Sequence, residues 1–229
     1  MTTIPANLQA VKDRIAAACS AAGRDPREVT LLAVTKTWPP DYVRAAAVAG
    51  QHAFGESYVQ ESLPKMAALA DLGLEWHFIG PLQSNKTRLV AESFAWVHSV
   101  ERMKIAERLS AQRPDGLPPL NVCVEVNVSG EDSKSGCTPA EAPALCRAVA
   151  ALPKLRLRGL MAIPEPTENP ALARRRFAQV RMLKDELGAA GLALDTLSMG
   201  MSHDMEAAIM EGATIVRVGT AIFGERQYS

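Results

Sequence analysis

The sequence predicts an α/β fold, a single (β/α)8 barrel of the TIM type. Three features of the 229-residue chain predict it: short apolar runs alternate with helical patterns, the runs number eight, and no Pro- or Gly-rich linker divides them. Continuous apolar runs are typical of parallel strands that are covered on both faces. Eight such units in one chain favour a closed barrel over an open doubly wound sheet, so we expect residues 1–229 to form one domain.

The predicted strands are short and rich in Val, Ile and Leu. They cover Thr30–Thr35, Gln51–Phe54, Glu75–Ile79, Ala95–Val100, Leu120–Val128, Leu157–Ile163, Leu194–Met199 and Thr214–Val218. An amphipathic helix over Asn7–Ala22 precedes them, and residues 220–229 form a short tail that makes a final turn. The other predicted helices cover residues 39–49, 57–72, 84–92, 101–112, 138–150, 171–190 and 202–211.

Composition and charge exclude several classes of function. Lys plus Arg and Asp plus Glu each number 25, so no basic field attracts nucleic acid or an anionic membrane. No apolar stretch approaches bilayer-spanning length, and the N-terminus shows no signal peptide. The four cysteines contain no CxxC pair, which indicates a reducing compartment without disulfides. We therefore expect a cytoplasmic protein that binds neither nucleic acid nor membrane.

Common catalytic and nucleotide-binding motifs are absent. The chain contains no GxGxxG, no GxxxxGK[ST] and no GxSxG segment. Its four histidines do not group with carboxylates or cysteines at metal-ligand spacing, and His77 and His98 are predicted to be hydrogen-bonded core residues. No metal site is therefore predicted.

A lysine ends the first predicted strand. Alternation places Lys36 on the same face as Leu32 and Val34, and an inward face would put its ammonium at the mouth of the barrel. Desolvation there would lower the pKa of the lysine, and a neutral amine condenses with aldehydes. Taken alone, Lys36 is better explained as a lysine that extends from a strand end into solvent, which is the commoner arrangement.

The seventh and eighth predicted strands end in groups that suit an anion. Ser202 is predicted as the N-cap of the following helix, and Gly200 would let the backbone approach a ligand closely. Arg217 faces inward with Gly219, and Thr220 adds a hydroxyl. Barrels commonly bind phosphate in these two loops. The alternatives are an ordinary capped helix and an arginine paired with a carboxylate.

These features strengthen one another. A lysine, a donor for a ring acceptor and a phosphate cradle are the parts required by a phosphorylated pyridine aldehyde, pyridoxal 5′-phosphate (PLP).

The sequence also resembles the pyridoxal phosphate homeostasis proteins, also called proline synthetase co-transcribed homologues. The matching segments span nearly the whole chain and are Ala33–Lys36, Phe54–Glu61, Trp76–Lys86, Val126–Gly136, Arg158–Met161, Leu197–Ser202 and Val216–Arg226. The resemblance implies a barrel similar to the N-terminal domain of alanine racemase, with PLP at its mouth.

The resemblance also implies roles for individual residues. Lys36 would form a Schiff base with PLP, while Ser202, Gly219 and Thr220 would hold the phosphate. Two further residues, Ser198 and Gly200, would shape the phosphate loop, Arg217 would face the pyridine nitrogen, and Ser57 would lie beside the cofactor. Ser57 departs from the family pattern, which has Asn at this position; the shorter hydroxyl would reach the cofactor through water.

The function implied by the resemblance is storage and delivery of PLP without catalysis, with apo forms of PLP-dependent enzymes as candidate recipients. A guanidinium donates hydrogen bonds and cannot accept them, so a ring nitrogen facing Arg217 stays unprotonated and the ring is a poor electron sink. The expected oligomeric state is a monomer, because the predicted barrel leaves no room for the second domain of alanine racemase.

Two alternatives remain open from the sequence. A PLP-dependent racemase needs a second acid/base group, and none of the three tyrosines Tyr42, Tyr58 and Tyr228 is evidently placed for it. A Schiff-base aldolase would also use a lysine and a phosphate cradle, but its substrate would offer Arg217 no ring nitrogen. Lys134 is a candidate acceptor of the aldehyde and Cys137 a candidate reactive thiol, although a solvated lysine and an inert cysteine are the simpler interpretations.

Overall fold

A computed structural model of the chain describes residues 3–130 and 135–225. Its eight strands are all parallel and close into a barrel in chain order, the eighth pairing with the first. The predicted fold class is therefore confirmed. The strands are β1 Thr30–Val34, β2 Ala53–Glu56, β3 Glu75–Phe78, β4 Trp96–Val100, β5 Leu120–Glu125, β6 Leu155–Met161, β7 Thr196–Ser198 and β8 Ile215–Val218.

Helices connect the strands and surround the barrel. They are α1 Ile4–Ala21, α2 Pro40–Val48, α3 Val59–Ala68, α4 Thr87–Ser93, α5 Met103–Gln112, α6 Ala142–Ala150, α7 Pro170–Ala189, α8 Met205–Met210 and α9 Thr220–Phe223. Short 3-10 turns lie at Pro26–Glu28, Ala70–Leu72 and Ser84–Lys86. The helical turn predicted after the last strand is α9, and residues 226–229 of the predicted tail lie outside the described residues.

Some predicted boundaries were wrong, for local reasons. The second strand begins two residues later than predicted because the backbone N–H of Gln51 donates to the Ala46 carbonyl of α2. The fifth strand ends at Glu125, since Val126 makes only a bridge to Cys137. The helix predicted over 57–72 ends at Ala68 and gives way to a 3-10 turn.

Two apolar layers hold the barrel together. The outer layer fills the space between the strands and the helices and includes Phe54, Phe78 and Phe177. A small inner cluster fills the barrel itself, with members from six different strands: Leu32, Ala53, Trp96, Cys123, Met161 and Ile215. Inward and outward residues thus alternate along each strand, and the Leu32 face of β1 points inward.

Within the described ranges, none of the helices combines the length and the apolar character that a membrane crossing requires.

Candidate functional site

A cavity of about 190 Å³ opens at the carboxyl ends of the strands. Lys36 follows β1 and lines this cavity with Val34, as the predicted alternation requires. Larger hollows of about 390 Å³ lie elsewhere, one of them near Gln51 and His52 at the opposite end of β2. In a (β/α)8 barrel the strand carboxyl ends are where functional groups converge, so we take the smaller cavity as the candidate site.

Most of the predicted site residues come together at this cavity. Six of the eight line it: Lys36, Ser57, Ser202, Arg217, Gly219 and Thr220. Ser57 is buried, whereas Thr220 is exposed. The lining of the cavity therefore includes an amine, a guanidinium and three residues with hydroxyl groups.

Apolar residues that the sequence reasoning missed complete the lining. Ile79 follows β3, Ile163 follows β6, and Met201 lies in the loop after β7, together with the exposed His203. The sequence could have identified these residues, because they lie at or just beyond predicted strand ends. Residues at such positions in a barrel lie at its mouth or rim. They offer apolar contact to a flat ring.

Arg217 is buried and is fixed by three hydrogen bonds. Nη1 donates to the carbonyl of Ser198 at 2.6 Å and to its Oγ at 2.8 Å, and Nη2 donates to the carbonyl of Ala162 at 3.0 Å. Burial lowers the pKa of Arg217 to about 10, which still leaves the guanidinium charged at neutral pH. In the part of the chain that the structure describes, no carboxylate forms an ion pair with it, so the alternative of a carboxylate-paired arginine is not observed.

Ser198 and Gly200 do not line the cavity. Ser198 is fully buried beside Arg217, between the cavity and the barrel interior. Gly200 has a φ of +95°, and a Cβ there would lie 2.6 Å from the Cβ of Ala208. The missing side chain of Gly200 therefore lets α8 pack closely against this loop, and the expected approach of a ligand to Gly200 stays a prediction.

The loop after β7 is held differently from the prediction. Ser202 was expected to cap the next helix, but α8 begins at Met205 and its N-cap is Asp204. The Asp204 carboxylate accepts a hydrogen bond from the Met201 N–H at 2.6 Å, which stabilises the turn. The Ser202 carbonyl accepts from Nη2 of Arg14 at 3.0 Å, so α1 also anchors this loop. The Ser202 side chain is not used as a cap and remains at the cavity.

The backbone after Lys36 is held in an unusual conformation. Thr37 has a φ of +71°, which non-glycine residues adopt at a cost. Its N–H donates to Oε1 of Glu61 at 2.6 Å, and Nζ of Lys65 donates to the Thr35 carbonyl at 2.8 Å. Two side chains of α3 therefore fix the backbone on both sides of Lys36.

Lys65 belongs to a buried charge cluster that the sequence reasoning missed. Its ammonium lies 2.7 Å from Oε1 of Glu56 and 2.8 Å from Oε1 of Glu61, and the Thr35 hydroxyl donates to the same Glu56 oxygen at 2.7 Å. Burial raises the pKa of Glu56, and the charge and hydrogen bond of Lys65 oppose that rise. Oε2 of Glu56 has no hydrogen-bond partner among the described residues. Only the helical spacing of Glu61 and Lys65 hints at this cluster in the sequence.

Three further predictions concern histidine and cysteine. The interpretation of His77 and His98 as hydrogen-bonded core residues is confirmed, since their rings bond to each other at 2.9 Å. All four cysteines are free and buried. Burial raises the pKa of Cys137 to about 11, so its thiol is protonated and unreactive at neutral pH. Lys134, the candidate acceptor of the aldehyde, lies outside the described residues.

Neither described tyrosine supplies a second acid/base group at the cavity. Tyr42 and Tyr58 are exposed and do not line it. Tyr228 lies outside the described residues. Within residues 3–130 and 135–225, no group of three or more His, Cys, Asp or Glu side chains could hold a metal ion.

A known protein family matches nearly the whole length of the chain. Residues 6–227 match the family model described as alanine racemase, N-terminal domain. The chain is 64% identical over 228 residues to the pyridoxal phosphate homeostasis protein of Pseudomonas aeruginosa, covering 100% of this chain and 98% of that protein. It is 54% identical over 237 residues to the protein of the same name from Escherichia coli, covering 100% and 99% of the two chains.

Solved structures show the same architecture. The structure of PipY from Synechococcus elongatus with PLP bound has a TM-score of 0.81 and 39% identity, covering 92% of this chain and all of that one. A protein of unknown function from Bifidobacterium adolescentis has a TM-score of 0.89 and 39% identity, covering 96% and 94%. Alanine racemase from Corynebacterium glutamicum, at 17% identity and a TM-score of 0.66, shares the fold; the match covers 97% of this chain and 62% of the racemase.

Proposed function

Because the chain belongs to the pyridoxal phosphate homeostasis protein family, we propose that it binds PLP at the mouth of its barrel and serves in cofactor storage and delivery inside the cell. The single observation that carries the proposal is the convergence of Lys36, Arg217 and the hydroxyls of Ser202 and Thr220 on one cavity at the strand ends. Relatives with the same name and a PLP-bound neighbour support it.

The groups around the cavity fit a phosphorylated aldehyde. When bound, PLP supplies an aldehyde that condenses reversibly with an amine, and Lys36 is the amine that we assign to this Schiff base. Ser202, Gly219 and Thr220 would hold the phosphate through hydroxyl and backbone donors. Ser57, directly after β2, would reach the cofactor through water, and the apolar Ile79 and Ile163 would pack on the ring.

Arg217 would face the ring nitrogen, with Ser198 and Gly200 shaping its surroundings from behind. The guanidinium has no acceptor, so the nitrogen it faces carries no proton. That arrangement supports carbanion chemistry poorly, and it agrees with a carrier that does not catalyse a reaction of its own. The racemase alternative lacks support because Tyr42 and Tyr58 both lie away from the cavity.

We further propose that residues 1–229 act as one cytoplasmic, monomeric domain, with apo forms of PLP-dependent enzymes as recipients. The match of one family model to residues 6–227 supports a single domain. The formal net charge of zero agrees with a partner that is neither nucleic acid nor membrane.

Borohydride reduction followed by mass spectrometry tests the assignment. We expect the purified protein loaded with PLP to show a visible absorbance that borohydride abolishes, and the reduced adduct to lie on Lys36. The variant Lys36→Ala should lose both signals, because no other lysine among the described residues lines the cavity. The matched control is Lys104→Ala, which changes an exposed lysine on α5 and should leave both unchanged. An adduct found only on another lysine would contradict the assignment.

A further inference from the structure

A chain of hydrogen bonds crosses the interior of the barrel from Arg217 to Glu75. Nη1 of Arg217 lies 2.8 Å from Oγ of Ser198, which lies 2.7 Å from Nδ1 of His98. Nε2 of His98 lies 2.9 Å from Nδ1 of His77, and Nε2 of His77 lies 2.8 Å from Oε1 of Glu75. We call these five residues the interior relay. It begins at the cavity and ends at the amino-terminal end of β3, where the Glu75 side chain is 51% exposed.

The groups at the two ends of the interior relay, together with neutral imidazoles between them, determine the direction of each hydrogen bond. A guanidinium can only donate, and an ionised carboxylate can only accept. The hydrogen bond from His77 lowers the pKa of Glu75, so this carboxylate is ionised at neutral pH. The consistent arrangement is therefore that Arg217 donates to Ser198, the Ser198 hydroxyl donates to Nδ1 of His98, and each histidine donates onward from Nε2.

Other proton arrangements leave groups unsatisfied. If His98 carried its hydrogen on Nδ1, the Ser198 hydroxyl would lose its acceptor, although Ser198 is fully buried. A charged imidazole is also disfavoured, because burial lowers the pKa of His77 and lowers that of His98 well below its usual value. The positive charge of Arg217 further lowers the pKa of His98. At His77, the Glu75 carboxylate opposes the lowering of the pKa by burial. Both rings are therefore neutral.

Packing holds the relay in place. The ring of His77 stacks on Trp96 with centroids 5.2 Å apart, and Trp96 in turn lies beneath the guanidinium of Arg158 at 4.8 Å. Because the His77 and His98 rings are almost wholly buried, water cannot substitute for a missing relay bond.

We propose that the interior relay positions Arg217: His77 and His98, held as neutral Nε2–H tautomers, orient the Ser198 hydroxyl to accept from Nη1 and so fix the guanidinium at the cavity wall. His98 and His77 are then positioning residues, since they act on the site only through Ser198. The inference rests on the proposed function where it concerns the cofactor, because the relay matters for binding only if Arg217 faces the ring nitrogen.

Side-chain NMR of the ¹⁵N-labelled protein without cofactor tests the proton arrangement directly. We expect long-range ¹H–¹⁵N correlations at about pH 7.5 to show His77 and His98 as neutral Nε2–H tautomers. The exposed His52 and His203 provide reference signals of imidazoles in water. An Nδ1–H tautomer, or a charged ring, at either buried histidine would overturn the proposal whether or not the protein binds PLP.

Variants of His98 test the consequence for the site. His98→Phe keeps a ring but leaves the Ser198 hydroxyl without an acceptor, so we expect PLP binding to weaken by about tenfold or more and the absorbance of the bound cofactor to change. His98→Gln restores an acceptor, so we expect PLP affinity and the absorbance of the bound cofactor to recover in part. A purely space-filling role of His98 would not give this rescue. Ser198→Ala should match His98→Phe, and it remains informative if the larger substitution impairs folding. Wild-type affinity and spectrum in both His98→Phe and Ser198→Ala would refute the positioning role.

Discussion

Burial shifts the pKa values of single side chains in this barrel without always changing their charge. Burial raises the pKa of Cys123 to about 12 and lowers that of Arg217 to about 10, so at neutral pH the thiol stays neutral and the guanidinium stays charged. In both groups burial disfavours the charged form. The unperturbed pKa of arginine is so high that the lowered value still lies well above neutral pH. Arg217 is therefore the fixed positive charge of the site.

Glu125, at the end of β5, has a carboxyl group whose charge changes near neutral pH. Burial raises its pKa to about 7, the Glu101 carboxylate adds to the rise, and Arg217 opposes it. The folded state then binds a proton more tightly than the unfolded state, so this contribution to stability is present at low pH and is lost as the pH rises through about 7.

We expect Glu125→Gln to remove that pH dependence. Relative to wild type, the free energy of unfolding of the variant should rise by up to about 3 kcal/mol between about pH 5 and about pH 8. Urea unfolding of the cofactor-free protein at both pH values measures it. Glu107→Gln, at an exposed position of α5, is the matched control and should follow wild type. Parallel curves for Glu125→Gln and wild type would contradict the assignment.

Helix α3 is the element that positions Lys36. Its Glu61 accepts from the N–H of Thr37, and its Lys65 donates to the carbonyl of Thr35. The same ammonium neutralises Glu56 at the end of β2. One helix thus connects the ends of two strands and stabilises a left-handed residue directly after the lysine of the site.

We expect Lys65→Met to destabilise the protein by about 3 kcal/mol, because it leaves a buried carboxylate without its partner. Urea unfolding measures the loss. The double variant Lys65→Met/Glu56→Gln should recover part of it, since the uncompensated charge is then also removed. Lys104→Met at an exposed position provides the control, with a change within about 0.5 kcal/mol. Equal losses in the single and double variants would show that the charge pair is not the cause.

At the scale of the whole molecule, closure of the barrel creates the site. Lys36 follows β1 and Arg217 lies on β8, and these strands are neighbours only because the sheet closes. Closure also requires β6 and β7 to approach each other closely at Gly159, which pairs with Thr196. A Cβ at Gly159 would lie 1.8 Å from the Thr196 carbonyl oxygen, a distance that only a backbone shift could relieve.

We expect Gly159→Ala to destabilise the barrel severely, by more than about 3 kcal/mol, because the clash is with backbone. The matched control is Gly188→Ala in α7, where a Cβ meets nothing within 4 Å. Alanine has the higher helix propensity, so this control should be neutral or stabilise by about 0.5–1 kcal/mol. Thermal unfolding of both variants measures the contrast, and equal midpoints would argue against close approach of the two strands.

Sequence patterns alone predicted the eight parallel strands and six of the residues that line the cavity. Continuous apolar runs reveal buried strands, and residues that follow such runs must lie at one end of the barrel. Lys36, Arg217 and Thr220 could be identified in this way. The motifs of the family then specified their expected roles.

The partners of the buried polar groups became evident from the folded chain and not from the sequence. The pairing of Lys65 with Glu56, the relay from Arg217 through His98 to Glu75, and the contact of Gly200 with Ala208 all join residues from different elements. Hydrophobic periodicity records whether a side chain is buried, but it carries no information about which other buried group lies within hydrogen-bond distance. That distance depends on strand register and barrel closure, which are properties of the assembled fold.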